Sequence, residues 1–182
     1  MKKFIVLLRG VNVGGKNKIS MAALKASLVK LGFTNVITYI NSGNIILNSS
    51  LDEAAIKNIC ETIITDTFHL NILVCVISVD GLRDALANAP LWWNNNNDSK
   101  HNAIFVIPPA TAAAVCTSVG ESTSEYEQTA FYGNVIFWSA PLATFSHTRW
   151  SKITLNKAAY NAITIRNANT TLKLFALAAD NH

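Results

Sequence analysis

Strand, helix, hairpin, helix, strand is spelled twice along this sequence, and few folds accept a chain that repeats that order. Phe4 to Leu8 is a short unbroken apolar run, as expected of a central strand covered on both faces. Ser20 then offers an N-cap, Leu24, Leu28 and Leu31 recur at helical spacing, and Gly32 supplies a left-handed stop. Val36 to Ile40 and Ile45 to Leu47 are β-rich runs around Asn41-Ser42-Gly43-Asn44, a turn sequence because Gly and Asn tolerate positive φ. Asp52 and Glu53 suit the positive end of a helix. Ile56, Ile59, Cys60, Ile63, Ile64 and Thr67 follow at i, i+3, i+4, i+7, i+8 and i+11, and Ile72 to Ile77 reads as another buried strand. The order is βαββαβ, the split ferredoxin-like arrangement.

After a short helix at Asp80 to Asn88 and a polar loop from Asn94 to Lys100, the order returns. Strand Ala103 to Ile107 leads into an Ala-rich helix from Ala110, and Glu125 to Phe131 and Val135 to Trp138 flank a turn at Tyr132-Gly133-Asn134. A helix over Ser146 to Tyr160, a strand over Ala162 to Arg166 and a final helix complete the copy. Gly43-Asn44-Ile45-Ile46-Leu47 and Gly133-Asn134-Val135-Ile136-Phe137 fall at the same step and match in pattern. In the last helix Leu172, Phe175, Ala176 and Ala179 make an apolar stripe for docking on the body. The expected fold class is α+β, with duplicated ferredoxin-like (βαββαβ) subdomains and a C-terminal helix. The expected division is residues 1–79, a helix and polar linker over 80–100, and residues 101–182 including the last helix.

Composition narrows the setting. Half of the 182 residues are hydrophobic and 14% are charged, against roughly 25% charge in ordinary domains, which excludes disorder. The start Met1-Lys2-Lys3 before Phe4 imitates a secretory signal, but the apolar run stops at Arg9, short of the roughly 7 to 15 residues a signal needs. No stretch reaches the roughly 18 to 20 apolar residues that span a bilayer, so the expected location is the cytoplasm, with no membrane partner. Cys60, Cys75 and Cys116 are odd in number and set in apolar surroundings, as reduced core residues are. The net charge of +4 hides a division: residues 1–51 carry seven Lys/Arg and no acid, residues 52–140 three against ten, and residues 141–182 five against one. Such asymmetry allows a positive surface facing an anion, or basic and acidic stretches that face each other in the fold.

The unusual segment is Arg9-Gly10-Val11-Asn12-Val13-Gly14-Gly15-Lys16-Asn17-Lys18, which joins a buried strand to a helix. Glycines let backbone N–H groups approach an anion and the lysines supply charge, which makes phosphate binding physically reasonable. The alternative is a surface loop whose glycines merely permit a turn. The segment is not a Walker A loop, since Lys16 is followed by Asn17, and it does not fit the dinucleotide fingerprint. In an antiparallel βαββαβ sheet this segment, the Asn41-Ser42-Gly43-Asn44 turn and His69-Leu70-Asn71 gather at one edge, with neighbouring strands about 4.8 Å apart. Arg9, Gly10, Asn12, Gly14, Gly15, Lys16, Asn41, Ser42 and Asn44 are therefore the candidate ligand-binding residues. For Asn41 and Asn44 a role in the turn alone is the competing reading.

A second basic segment, Ser146-His147-Thr148-Arg149-Trp150-Ser151-Lys152, with Arg166-Asn167 further on, could hold a nucleotide or a nucleic-acid backbone and adds Arg166 to the candidates. A polar helix face with Trp150 packed inward accounts for the same letters. His69, His101, His147 and His182 are scattered without metal-pair spacing, no cofactor motif occurs, and Ser27-Leu28-Val29-Lys30 sits inside a helix with no partner motif. The closely spaced aromatics of RNA-recognition sheets are missing from Phe4 to Leu8 and Ile45 to Leu47; Phe105, Phe137 and Trp138 barely keep that idea for the second half, and a place in the core is the favoured reading of all three. Aliphatic residues on both sides of the strands suggest faces buried between the halves or in a homodimer.

At Leu7-Leu8-Arg9-Gly10-Val11-Asn12-Val13-Gly14-Gly15 and at Thr38-Tyr39-Ile40-Asn41-Ser42-Gly43-Asn44 the chain resembles the bacterial domain of unknown function 1697 family, with an echo at Ile165-Arg166-Asn167 and Leu172-Lys173-Leu174. The resemblance implies a cytoplasmic α+β protein of two similar subdomains and no established activity. The expectation is a protein that binds a phosphate-bearing ligand, a nucleotide or nucleic acid, at its basic Gly-rich loop. The alternatives are an enzyme acting on a phosphorylated small molecule, or an interaction module without a ligand.

Overall fold

The computed structural model describes residues 1–120 and 125–180; His182 lies outside the described residues. In order the chain forms β1 (Lys2–Leu8), α1 (Met21–Lys30), β2 (Thr34–Tyr39), β3 (Asn44–Ser49), α2 (Glu53–Phe68), β4 (Val74–Ser78) and α3 (Val79–Ala87). Then follow β5 (Ser99–Val106), α4 (Ala112–Val119), β6 (Gln128–Tyr132), β7 (Val135–Pro141), α5 (Lys157–Asn161), β8 (Ile163–Asn167) and α6 (Ala168–Asp180). The strands make two four-stranded sheets, ordered β2-β3-β1-β4 and β6-β7-β5-β8, with every pairing antiparallel. This is the ferredoxin-like order twice over. Two compact units result, Met1–Arg83 with the chain from Lys173, and Asp84–Leu172. The boundaries fall inside α3 and α6, so the last helix, expected to belong wholly to the second half, gives its end to the first unit.

In the first unit β1 is buried on both faces, with Phe4 to Leu8 all at 2% exposure or less. Phe4, Val6 and Leu8 share a cluster with Ile45, Leu47, Val74 and Val76, covered by Leu24 and Leu28 of α1 and by Ile56, Cys60, Ile63 and Ile64 of α2. Leu31 lies outside that stripe because it is the C-cap of α1, one step past its last turn. The edge strand β4 is shielded by α2: Glu61 accepts the Val74 N–H at 2.9 Å and Glu53 the Ser78 N–H at 2.8 Å. Carboxylates on these donors keep the edge from pairing with another strand. Lys3 donates to the Ala178 carbonyl at 2.5 Å, setting a cation at the negative end of α6.

In the second unit Ile104, Val106, Ile136, Trp138 and Ala140 pack with Val115, Trp150, Ile153 and Ala159. Phe105 and Phe137 are also fully buried, so Phe105, Phe137 and Trp138 are core residues, and the exposed aromatics of this sheet are Phe131 and Tyr132 on β6. Trp93, within the expected linker, packs edge-on against Phe137 at 5.0 Å between ring centroids and donates to the Asn102 carbonyl. The segment is part of the packing rather than a spacer.

Three local expectations are corrected. The helix expected over Ser146 to Tyr160 is broken into 3-10 turns at Phe145–His147 and Trp150–Leu155 and the short α5. Thr148 is extended, its hydroxyl and the buried Glu127 carboxylate take the N–H groups of Ser151 and Arg149, and Asn156 caps Ala159. Each cap restarts the chain in a new direction. Trp150 does point inward, at 2% exposure. In α6 the buried positions are Ala168, Thr171, Leu174 and Ala178, while Leu172 is 37% exposed.

The two hairpins also differ in register. Four residues join Tyr39 to its partner Asn44, but two join Tyr132 to Val135. Leu8 N–H bonds the Gly43 carbonyl, whereas Val106 N–H bonds that of Asn134. Gly43 therefore corresponds to Asn134, and the five-residue match between the hairpins is one residue out. A slip of one exchanges the faces of a strand, as the clusters confirm: Ile45 and Leu47 face the helices in one unit, Ile136 and Trp138 in the other. Among the described residues no helix is long and apolar enough to cross a membrane.

Candidate functional site at the glycine-rich end of the first sheet

The order of the first sheet brings its loops together as the sequence implied. Leu7 pairs with Asn44 and Leu8 with Val74, and Arg9 N–H bonds the Leu73 carbonyl at 3.0 Å. The glycine-rich segment is itself a small hairpin. Lys16 N–H bonds Val13 O at 3.1 Å, Asn12 N–H bonds Asn17 O at 3.2 Å, and Gly14 and Gly15 turn the corner at φ 58° and 76°. Two successive left-handed residues make a type I′ turn, whose twist matches its strands and which Gly-Gly adopts without strain.

Asn12 fastens this hairpin to the body. Its Oδ1 accepts the Ile19 N–H at 2.9 Å, and its Nδ2 donates to Ile19 O at 2.9 Å and Asn41 O at 2.7 Å. Both ends of its amide are thus engaged, and its role is to hold the wall of the site. Asn44 is wholly buried and donates to Tyr39 O and to the Ser42 hydroxyl, at 3.1 and 3.0 Å. Asn44 serves the turn, and Ser42 is its acceptor. The left-handed residues of this turn are Ile40, at φ 48°, and Gly43, at φ 79°, rather than the asparagines. Gly43 has no room for a side chain, since a Cβ there would stand 2.5 Å from Val11 Cγ2 and 2.7 Å from Leu8 Cβ.

Between the small hairpin, the β2–β3 turn and α1 lies an open cleft of about 480 Å³, lined by Asn12, Gly15, Lys18, Ser20, Ala22 and Asn41 with Ile19 and Met21. Ser20 caps α1 by accepting from Ala23 N–H at 3.3 Å. Met21 and Ala22, in the first turn, have N–H groups with no acceptor inside the helix. That end of a helix carries partial positive charge and suits an anion. Lys18 adds a full charge, the lining holds no carboxylate, and neither Lys16 nor Lys18 is ion-paired with any described residue.

Of the sequence-selected residues, Asn12, Gly15 and Asn41 meet in the cleft. Gly10, Gly14 and Lys16 are exposed on the hairpin that forms its rim, and the half-buried Arg9 stands at the end of β1, outside the lining. Arg166 belongs to the second unit, 8% exposed, with its guanidinium on Thr164 Oγ1 at 2.9 Å and Ile165 O at 2.8 Å; these bonds give it a structural role there. The expected set lacks Lys18, Ile19, Ser20, Met21 and Ala22 of the lining, and of these Lys18 and Ser20 bring the polar side chains. The N-cap signature at Ser20 was the available signal, since a capped helix start next to a basic loop is an anion-binding combination.

The three cysteines are free thiols. Burial, with the Glu61 charge second, pushes Cys60 up to about 12, and burial also raises Cys116. Among the described residues no group of His, Cys, Asp or Glu is arranged to hold a metal ion. In the second unit the buried His101 has its Nδ1 2.6 Å from Oγ of Ser139, its partner across the β5–β7 pair, and its Nε2 3.0 Å from the carbonyl of Asn96 in the exposed loop before β5.

The profile of a family described as "Protein of unknown function (DUF1697)" matches residues 1–137, which span the first unit's sheet and most of the second. Among solved structures, a conserved bacterial protein, SP0830 from Streptococcus pneumoniae, is 31% identical over 97% of this chain and 98% of its own, with a TM-score of 0.85. No curated protein matches.

Proposed function

We propose, from the premise that this chain belongs to the DUF1697 family of proteins of unknown function, that its first unit binds a phosphate-bearing ligand, a nucleotide or nucleic acid. The binding place is the cleft at the start of α1. One observation carries this reading: the backbone donors at a helix N-terminus, Lys18 and the exposed Asn41 line one cleft without a carboxylate, in a stretch of 51 residues that contains no acid at all. Phosphate in that position would receive the Met21 and Ala22 N–H groups and the Lys18 ammonium. Asn41 and the rim of the small hairpin would meet the rest of the ligand.

The test is thermal unfolding with inorganic phosphate, adenosine monophosphate or a short oligonucleotide, because a ligand at about a hundred times its Kd adds roughly 2.7 kcal/mol to native stability. The expected result is a rise in Tm with the phosphate compounds that Lys18→Ala abolishes and Lys157→Ala, in the second unit, leaves intact. No rise with any of the three in the wild type would refute the reading.

A further inference from the structure

Resting on that reading, we infer that the ligand is a double-stranded nucleic acid whose backbone runs out of the cleft along the outer face of α1. Met21, Leu24 and Leu28 are the buried residues of this helix. With about 3.6 residues per turn, the exposed arc runs in order through Lys25, Val29, Ala22, Ala26, Lys30 and Ala23. All six are exposed. Within it Val29, Ala22 and Ala26 make a ridge of short side chains that lets another backbone come close, with Lys25 on one side and Lys30 on the other. Ala22 belongs both to this ridge and to the lining of the cleft, so the two surfaces are continuous.

Charge selects the partner. Neither Lys25 nor Lys30 is ion-paired with any described residue, and no acid occurs anywhere in residues 1–51 to neutralise the face. From Ala22 to Lys30 the helix rises about 12 Å. One strand of a duplex presents a phosphate roughly every 3.4 Å along the axis, so three or four phosphates fit that length. Residues 9–32 contain no Phe, Tyr or Trp. A surface that binds unpaired strands stacks their bases on aromatic rings. A face of lysines and small aliphatics instead suits the outward backbone of paired strands.

The experiment measures fluorescence anisotropy of labelled duplex DNA, duplex RNA and a single strand of the same sequence with the full chain, across a range of salt. Lys25→Ala/Lys30→Ala is compared with the wild type, and the adenosine monophosphate Tm shift is read on the same samples. The expected result is duplex binding in preference to the single strand. The double variant should bind roughly tenfold more weakly or less, and its log–log salt slope should flatten by about 2. Its monophosphate shift stays that of the wild type, which also shows that it is folded. The DNA and RNA arms tell which duplex is favoured. Monophosphate binding with no duplex binding, or duplex binding that the double variant leaves unchanged, overturns the inference while the cleft stands. Tighter binding of the single strand overturns it as well. No monophosphate shift in the wild type removes the premise, and the inference with it.

Discussion

Replacing Gly43 by alanine tests both the packing of the first unit and the construction of its cleft. Gly43 lies at φ 79°, where an L residue costs about 1–2 kcal/mol. Its new Cβ would also meet Val11 Cγ2 at 2.5 Å and Leu8 Cβ at 2.7 Å. Neither neighbour can yield cheaply: Leu8 and Val11 are each 1% exposed, and the Leu8 N–H is bonded to the Gly43 carbonyl at 2.8 Å. Overpacking of such a site typically costs a further 1–3 kcal/mol. The expected loss is therefore about 2–5 kcal/mol, a large share of the roughly 5–15 kcal/mol that holds a protein folded. Gly32→Ala is the control, since Gly32 also has positive φ, at 89°, but nothing lies near its missing Cβ. It should lose only the conformational part, about 1–2 kcal/mol.

Urea unfolding is the assay, followed by far-UV circular dichroism as well as fluorescence. The choice matters because all four tryptophans, Trp92, Trp93, Trp138 and Trp150, lie in the second unit. A loss confined to the first unit would separate the two probes, which is itself a check on two-state behaviour. Equal losses in Gly43→Ala and Gly32→Ala, within about 0.5 kcal/mol, would refute the claimed contact between the β2–β3 turn and the end of β1.

Other outcomes follow from single contacts. Asn12→Ala removes three hydrogen bonds and should cost about 2–4 kcal/mol, with faster hydrogen exchange at the Ile19 amide. Asn41→Ala, which removes an exposed side chain and keeps the accepting carbonyl, should stay within about 0.5 kcal/mol of wild type while weakening the monophosphate Tm shift. Cys60 makes stability depend on alkaline pH. Its folded value of about 12 lies above the unfolded thiol's, so its contribution is full below about pH 8.5 and fades as pH rises toward 12. Between pH 7 and pH 10 the stability gap between wild type and Cys60→Ala should narrow by about 2 kcal/mol in urea titrations.

Much of this molecule is legible from local chemistry. The apolar runs at Phe4 to Leu8 and Ala103 to Ile107, the caps at Ser20 and Asp52, and the isoleucines of α2 lead to the order of elements without tertiary information. The caps are observed in place, with Ser20 bonded to Ala23 and Asp52 to Ala55. Sheet order followed, because an antiparallel βαββαβ chain leaves its first strand ending beside its hairpin. These features depend on neighbours in sequence, where spacing and side-chain type act directly on the backbone.

Three things were out of reach of that reasoning. The hairpin register depends on how many residues close each turn, four against two, and a matching Gly-Asn pair carries no record of that count. Whether an asparagine meets ligand or backbone depends on what the fold puts beside it: Asn12 finds Ile19 and Asn41 O, and Asn44 finds Tyr39 O and Ser42. The cleft joins residues from three separate stretches, and although the cap at Ser20 beside the basic loop is a signal in the sequence, the wall that Asn41 gives the cleft opposite Lys18 and Ser20 is not. Sequence alone determined the sequence of strands and helices and the basic end they share, since those arise from short-range preferences. Tertiary structure decided which polar groups are used up inside the protein and which face a ligand, because a hydrogen-bond donor is committed by the nearest acceptor in space, wherever in the chain that acceptor comes from.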